Sequence, residues 1–295
     1  MPLIPTAARW IYLSQLDDDL QLLMTNPAEF FGGTTKISKV RYTNGEDVSR
    51  EDDMYLNDEE GADIPAIISS GTKIKFKSID DWCYIPFNFD EEERHKKFIG
   101  GLKNSGVDKD ALLNGDMDYI VKHRAAINRV YKGVTKSGSS NESSLIVYSG
   151  PVSDKHEYIK KYNSICNVSC IARRIHYGCN MIPFIGKRVA CLYLGDTDLN
   201  QTSGGCGIIE AIYLNLGDVR HNIGTIQVPH HGSEKNFNDD ILWYRYPKLC
   251  FASFDMQNKY GHPSYKVVAE VEMHNHFVGV TEDRNSALVE TIIRR

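Results

Sequence analysis

Short runs of apolar and β-branched residues alternate along this chain with stretches whose apolar positions fall three or four apart. The runs predict strands over residues 8–14, 36–42, 72–76, 82–87, 145–148, 189–194, 223–228, 249–254, 277–280 and 288–293. The helical spacing predicts helices starting near Leu20 and over residues 90–102, 109–131, 208–216 and 265–274. Asp90 suits a helix cap, and the acids that follow it favour a first turn. Residues 51–63 are acidic and read as a surface loop, and 138–144 as a polar turn. Residues 151–187 read as an extended or inserted region within one domain covering 1–295.

Strands and helices are interleaved, and polar clusters sit where strands stop. That pattern predicts an α/β layered protein with its site at strand ends. With 295 residues and 41% hydrophobic content, the chain can bury a substantial core. A net charge of -5 argues against bulk electrostatic binding to nucleic acid, while the spread of Lys and Arg leaves room for a local basic groove. No apolar run approaches the roughly 18–20 residues that span a bilayer. Residues 1–9 lack the apolar core of a secretion signal. The sequence therefore reads as soluble and cytoplasmic, with no membrane partner. Seven cysteines in such a chain read as free thiols, with Cys83, Cys191 and Cys250 in apolar strands as core. His274, Asn275 and His276 read as a solvated cluster at a helix end.

Three blocks carry candidate chemistry: Leu194-Gly195-Asp196, Val228-Pro229-His230-His231-Gly232-Ser233, and Asn258-Lys259-Tyr260-Gly261-His262-Pro263. Neutral imidazole is the commonest nitrogen ligand for zinc and similar metals, and a carboxylate such as Asp196 can bridge cations or orient water. A pair such as His230-His231 can offer one ligand and one group facing a substrate. Taken alone the pair also suits a hydrogen-bonded surface site, Asp196 a helix cap, and His262 a structural turn. Separately, Cys166, Cys170, His176 and Cys179 have the ligand types of a structural zinc site, although close-set cysteines are often buried thiols.

The order of Asn141…Ser144-Leu145-Ile146-Val147, Leu194-Gly195-Asp196, His230-His231-Gly232-Ser233 and Gly261-His262-Pro263 resembles the metallo-β-lactamase fold. The nearest branch is the C-terminal domain of ComEC competence proteins and its stand-alone relatives. The resemblance implies an αββα sandwich holding one or two divalent metals, zinc or manganese, and hydrolysis of phosphodiesters. It implies Asp17, Asp19, Asp196 and His231 as metal ligands. It also implies Asp19, His230 and His262 in catalysis, and Ser233 and Asn258 on the substrate. The chain departs from the family at its first motif, Ser14-Gln15-Leu16-Asp17-Asp18-Asp19-Leu20. Gln15 and Leu20 stand where the family has histidines, and Leu ligates no metal. The remaining donors suit one ion better than two. Strands that precede this motif in relatives have no counterpart, so the sandwich is expected to lack its N-terminal strands.

Two functions of different class follow. One is a metal-dependent hydrolase acting on nucleic acid or a nucleotide. The other is a catalytically degenerate binding or scaffolding subunit, whose open sheet edge pairs with a protein partner.

Overall fold

The computed structural model describes residues 67–89, 92–114, 117–134, 144–153, 157–165, 188–203, 206–242, 249–273, 275–282 and 286–294, with the short segments 39–40, 54–56 and 184–186. The strand and helix expected over residues 8–14 and from Leu20, with Gln15, Asp17 and Asp19, lie outside these residues, as do Cys166, Cys170, His176 and Cys179.

The first strands in chain order are β1 (Lys39–Val40), β2 (Met54–Leu56), β3 (Ile67–Ile68), β4 (Ile74–Phe76) and β5 (Ile79–Phe87). Helices α1 (Glu92–Asn104), α2 (Lys109–Asn114) and α3 (Met117–Val134) follow. Next come β6 (Ile146–Pro151), β7 (Tyr158–Ile165), β8 (Phe184–Gly186) and β9 (Ala190–Tyr193), then the small hairpin β10 (Thr202–Ser203) and β11 (Cys206–Gly207). The chain closes with α4 (Ile208–Leu216), β12 (Ile223–Gln227), β13 (Leu249–Phe254), α5 (Tyr265–Glu272), β14 (His276–Thr281) and β15 (Ala287–Arg294).

Among the described residues the largest sheet has eight strands, ordered β14-β13-β12-β9-β6-β5-β4-β2. Strands β9, β12, β13 and β14 run parallel, β6 is antiparallel to both its neighbours, and β4 is antiparallel to β5. The parallel strands are nearly all apolar because both their faces are covered. Helix α4 buries Ile208, Ile209, Ala211, Ile212 and Leu216, and α5 buries Val267, Val268 and Val271. Each of these Ile, Leu and Val side chains contributes about 1.5–3 kcal/mol on burial. The fold is thus mixed α/β, a large mixed sheet flanked by helices. Cys83, Cys191 and Cys250 are buried free thiols in that core. Helices α1, α2 and α3 build a separate core around Phe98, Leu112, Ile120 and Ile127.

A second sheet, β15-β7-β8, pairs β7 with β15 across eight residues on each strand. The region expected as an insertion therefore supplies β7 and β8 to a sheet closed by the C-terminal strand. Lys160 on β7 is fully buried. Its Nζ donates to the Val189 carbonyl at 3.0 Å and to Thr225 Oγ1 of β12 at 2.7 Å, and pairs with Glu290 of β15 at 2.7 Å. Glu290 also accepts a short hydrogen bond from the Thr225 hydroxyl.

Three expectations are corrected. The acidic segment 51–63 contains β2, held by pairing with β4. The helix expected over 109–131 is described as α2 and α3, and α3 runs on to Val134, while residues 115–116 lie outside the described residues. Asn275 is 6% exposed, and its N–H donates to the Val271 carbonyl at the end of α5, so it belongs to the helix terminus and not to a solvated cluster. No described helix is long and apolar enough to cross a membrane.

Candidate functional site at the ends of the parallel strands

The three sequence blocks leave the C-terminal ends of β9, β12 and β13, adjacent parallel strands of one sheet. In open α/β sheets this edge is where ligands bind, because the loops leaving it converge. Here the loops are tied to one another by main-chain hydrogen bonds. The His230 N–H donates to the Gly195 carbonyl at 2.9 Å, joining the first block to the second. The Ser264 N–H donates to the Gly232 carbonyl at 2.9 Å, joining the second to the third.

Asp196 is placed by its turn. Gly195 has φ +53, a left-handed conformation that glycine adopts freely. Gln227, the last residue of β12, accepts from the N–H groups of Leu194 and Gly195 through Oε1, each at 3.1 Å. The Asp196 N–H donates to Ser144 Oγ at 3.0 Å, at the start of antiparallel β6. These bonds leave the carboxylate partly exposed beside His231.

His230 and His231 are both left-handed, with φ 48 and φ 56, and Gly232 follows at φ +83. Non-glycine residues in this region carry roughly 1–3 kcal/mol of strain and persist where the surroundings fix them. The His231 ring is held by its Nδ1, 2.7 Å from the Ser253 carbonyl of β13. A carbonyl only accepts, so Nδ1 carries a proton in this contact and Nε2 is the ring nitrogen turned away from Ser253. That nitrogen, Nε2, lies 3.8 Å from Asp196 Oδ1. An imidazole nitrogen and a carboxylate oxygen at this separation are donor types that one cation can share.

His230 sits between the other two imidazoles, its ring centroid 6.2 Å from His231 and 5.9 Å from His262. His262 is fixed through its backbone. Its N–H donates to Asn258 Oδ1 at 2.9 Å, and its carbonyl accepts from Asn258 Nδ2 at 2.7 Å. Burial lowers the His262 pKa below its ordinary value, and nearby His230 and His231 add to the effect. The ring is therefore neutral near pH 7, and its Nδ1 is buried with no hydrogen-bond partner. Ser233 is buried, its N–H donating to the His230 carbonyl at 3.0 Å.

The structure thus brings together Asp196, His230, His231 and His262. It places Ser233 in the base of the turn and commits the Asn258 amide to the His262 loop. Asp196 and His231 turn an oxygen and a nitrogen toward each other, donor types that suit a divalent metal. Among the described residues no group of three or more His, Cys, Asp or Glu forms a complete set of metal donors. The other expected donors, Asp17 and Asp19, are outside the described residues.

Sequence reasoning missed Gln227 and Ser253, which hold Asp196 and His231, and Tyr260, whose ring stacks on His262. Gln227 carries a faint signal, as a polar residue between Ile226 and Val228. Ser253 acts through its carbonyl, which no side-chain pattern reveals. Compared with known proteins, the chain matches no family, no curated protein and no solved structure.

Proposed function

We propose that this chain is a metal-dependent hydrolase of phosphodiesters, on a metallo-β-lactamase-like αββα sandwich of the ComEC type. One observation carries the reading: three loops at parallel strand ends, tied by main-chain hydrogen bonds, gather Asp196, His230, His231 and His262 at one edge. In this reading Asp196 and His231 would hold a single zinc or manganese ion, with Asp17 and Asp19, outside the described residues, as its further donors. Such an ion lowers the pKa of a water toward neutrality and polarises a phosphoryl oxygen.

The chain's own groups do the remainder. The Ser253 carbonyl orients the His231 ring through Nδ1, so Nε2 would be the nitrogen offered to the ion. Asp19, outside the described residues, would be the group to orient the attacking water or take its proton. His230 would face the phosphate, with Ser233 supporting the turn beneath it. His262, neutral near pH 7, is able to accept a proton at the same edge.

The test is metal content by plasma mass spectrometry, with turnover of bis(p-nitrophenyl) phosphate, for wild type and Asp196→Ala. The Asp196 side chain is 38% exposed, so its removal should leave the fold intact. Loss of metal and turnover together in this variant is the expected result. Unchanged turnover would sink the assignment. A wild-type protein without metal or turnover would move the reading to the non-catalytic subunit, for which Gln15 and Leu20 at the family's histidine positions already speak.

A further inference from the structure

Tyr260 stands beside the histidine cluster with 74% of its surface exposed. Single exposed aromatics are ordinary on protein surfaces. This one is distinguished by how it is held. Its ring lies within 18° of parallel to the His262 ring, with centroids 6.1 Å apart. The turn between them is braced by Asn258, which bonds both the N–H and the carbonyl of His262. Tyr265, 71% exposed, follows the same turn on the other side of His262-Pro263. Lys259, next to Tyr260, and Lys235, on the loop after Gly232, are both exposed.

An aromatic face held in water beside a cluster of imidazoles, with lysines close in the chain, matches a nucleotide. Every nucleobase has a π-face that stacks on an aromatic ring, and the adjoining phosphate is drawn to lysine. A base still stacked in a duplex cannot present that face. We infer that Tyr260, stacked on His262, is a subsite for an unpaired nucleobase whose phosphodiester lies at the Asp196–His231 edge. The inference rests on the phosphodiester reading and adds the base as the recognised part of the substrate.

Binding is measured on the full chain in EDTA, where hydrolysis does not intervene, by fluorescence anisotropy. The probes are a labelled oligothymidylate and an abasic oligomer of equal length and charge. Wild type is expected to bind the base-bearing strand about 5- to 100-fold more tightly, the range of one or more base–aromatic stacks. Tyr260→Ala should bind both probes like the abasic one, and Tyr260→Trp should restore the preference. Circular dichroism melts check that the variants fold, as expected for so exposed a side chain.

Equal affinity for the two probes, no binding of either, or full preference in Tyr260→Ala overturns the subsite. If the preference holds, competition by a thymidine dinucleotide separates a short diester ligand from a strand, and either result supports stacking. Hydrolysis is scored apart. Base preference without cleavage of any diester leaves the subsite standing and removes the hydrolase reading. Equal cleavage of abasic and base-bearing strands removes the subsite alone.

Discussion

Gly232 joins the two histidine-bearing loops, and replacing it with Ala tests that junction directly. Its φ of +83 is disfavoured for an L side chain, at a cost of roughly 1–2 kcal/mol. A Cβ there would sit 2.6 Å from Pro263 Cβ and 3.0 Å from Pro263 Cα. The neighbour is a proline ring and its backbone, so relief requires moving the turn that carries His262. Overpacking of this kind costs about 1–3 kcal/mol, and reduced freedom of the unfolded chain returns roughly 0.4–1 kcal/mol. The net expectation for Gly232→Ala is a loss of about 1–4.5 kcal/mol, a large part of the 5–15 kcal/mol typical of folded proteins. Urea unfolding followed by circular dichroism should show a lower midpoint at unchanged slope. Gly106→Ala is the control, since Gly106 has φ +67 and a Cβ there would meet nothing within 4 Å. It should lose only the conformational part, about 1 kcal/mol. A loss below roughly 0.5 kcal/mol in Gly232→Ala, or losses equal in the two variants, would refute the contact between the loops.

The His262 imidazole has a folded pKa lowered mainly by burial, so between its folded value and the unfolded 6.5 the unfolded chain binds more protons. Stability from this group is complete above about pH 6.5 and falls as pH drops toward the folded pKa. His262→Gln should flatten that part of a urea-midpoint profile, and an unchanged slope would count against burial as the cause. Lys160→Met removes the amine that faces Glu290, Thr225 and the Val189 carbonyl. Breaking one side of a buried pair costs about 3–5 kcal/mol. Thermal unfolding should show this loss, and Lys160→Met/Glu290→Leu should recover much of it. A single variant as stable as wild type would refute the role of the pair in joining the sheets.

Much of the element order was legible in the sequence. The helix Ile208–Leu216 and the strand Leu249–Phe254 occur over the residues their apolar spacing predicts. The three polar blocks stand at strand ends, and Cys83, Cys191 and Cys250 are core. These features are local: a period of two or of three to four in apolar positions states which face is buried, and it needs no distant partner. What depends on distant partners required the tertiary structure. Strand β2 forms in an acidic segment because β4 offers it a ladder. Lys160 has the residue type of a surface position, yet it is buried because Glu290, 130 positions later, returns beside it on β15. The tautomer of His231 is decided by a carbonyl on the neighbouring strand, β13. The sequence by itself determined which residues could do chemistry and which elements carry them. The register of parallel strands and the hydrogen bonds between their loops decided which of those residues meet, because those contacts link residues far apart in the chain and leave no periodic trace in it.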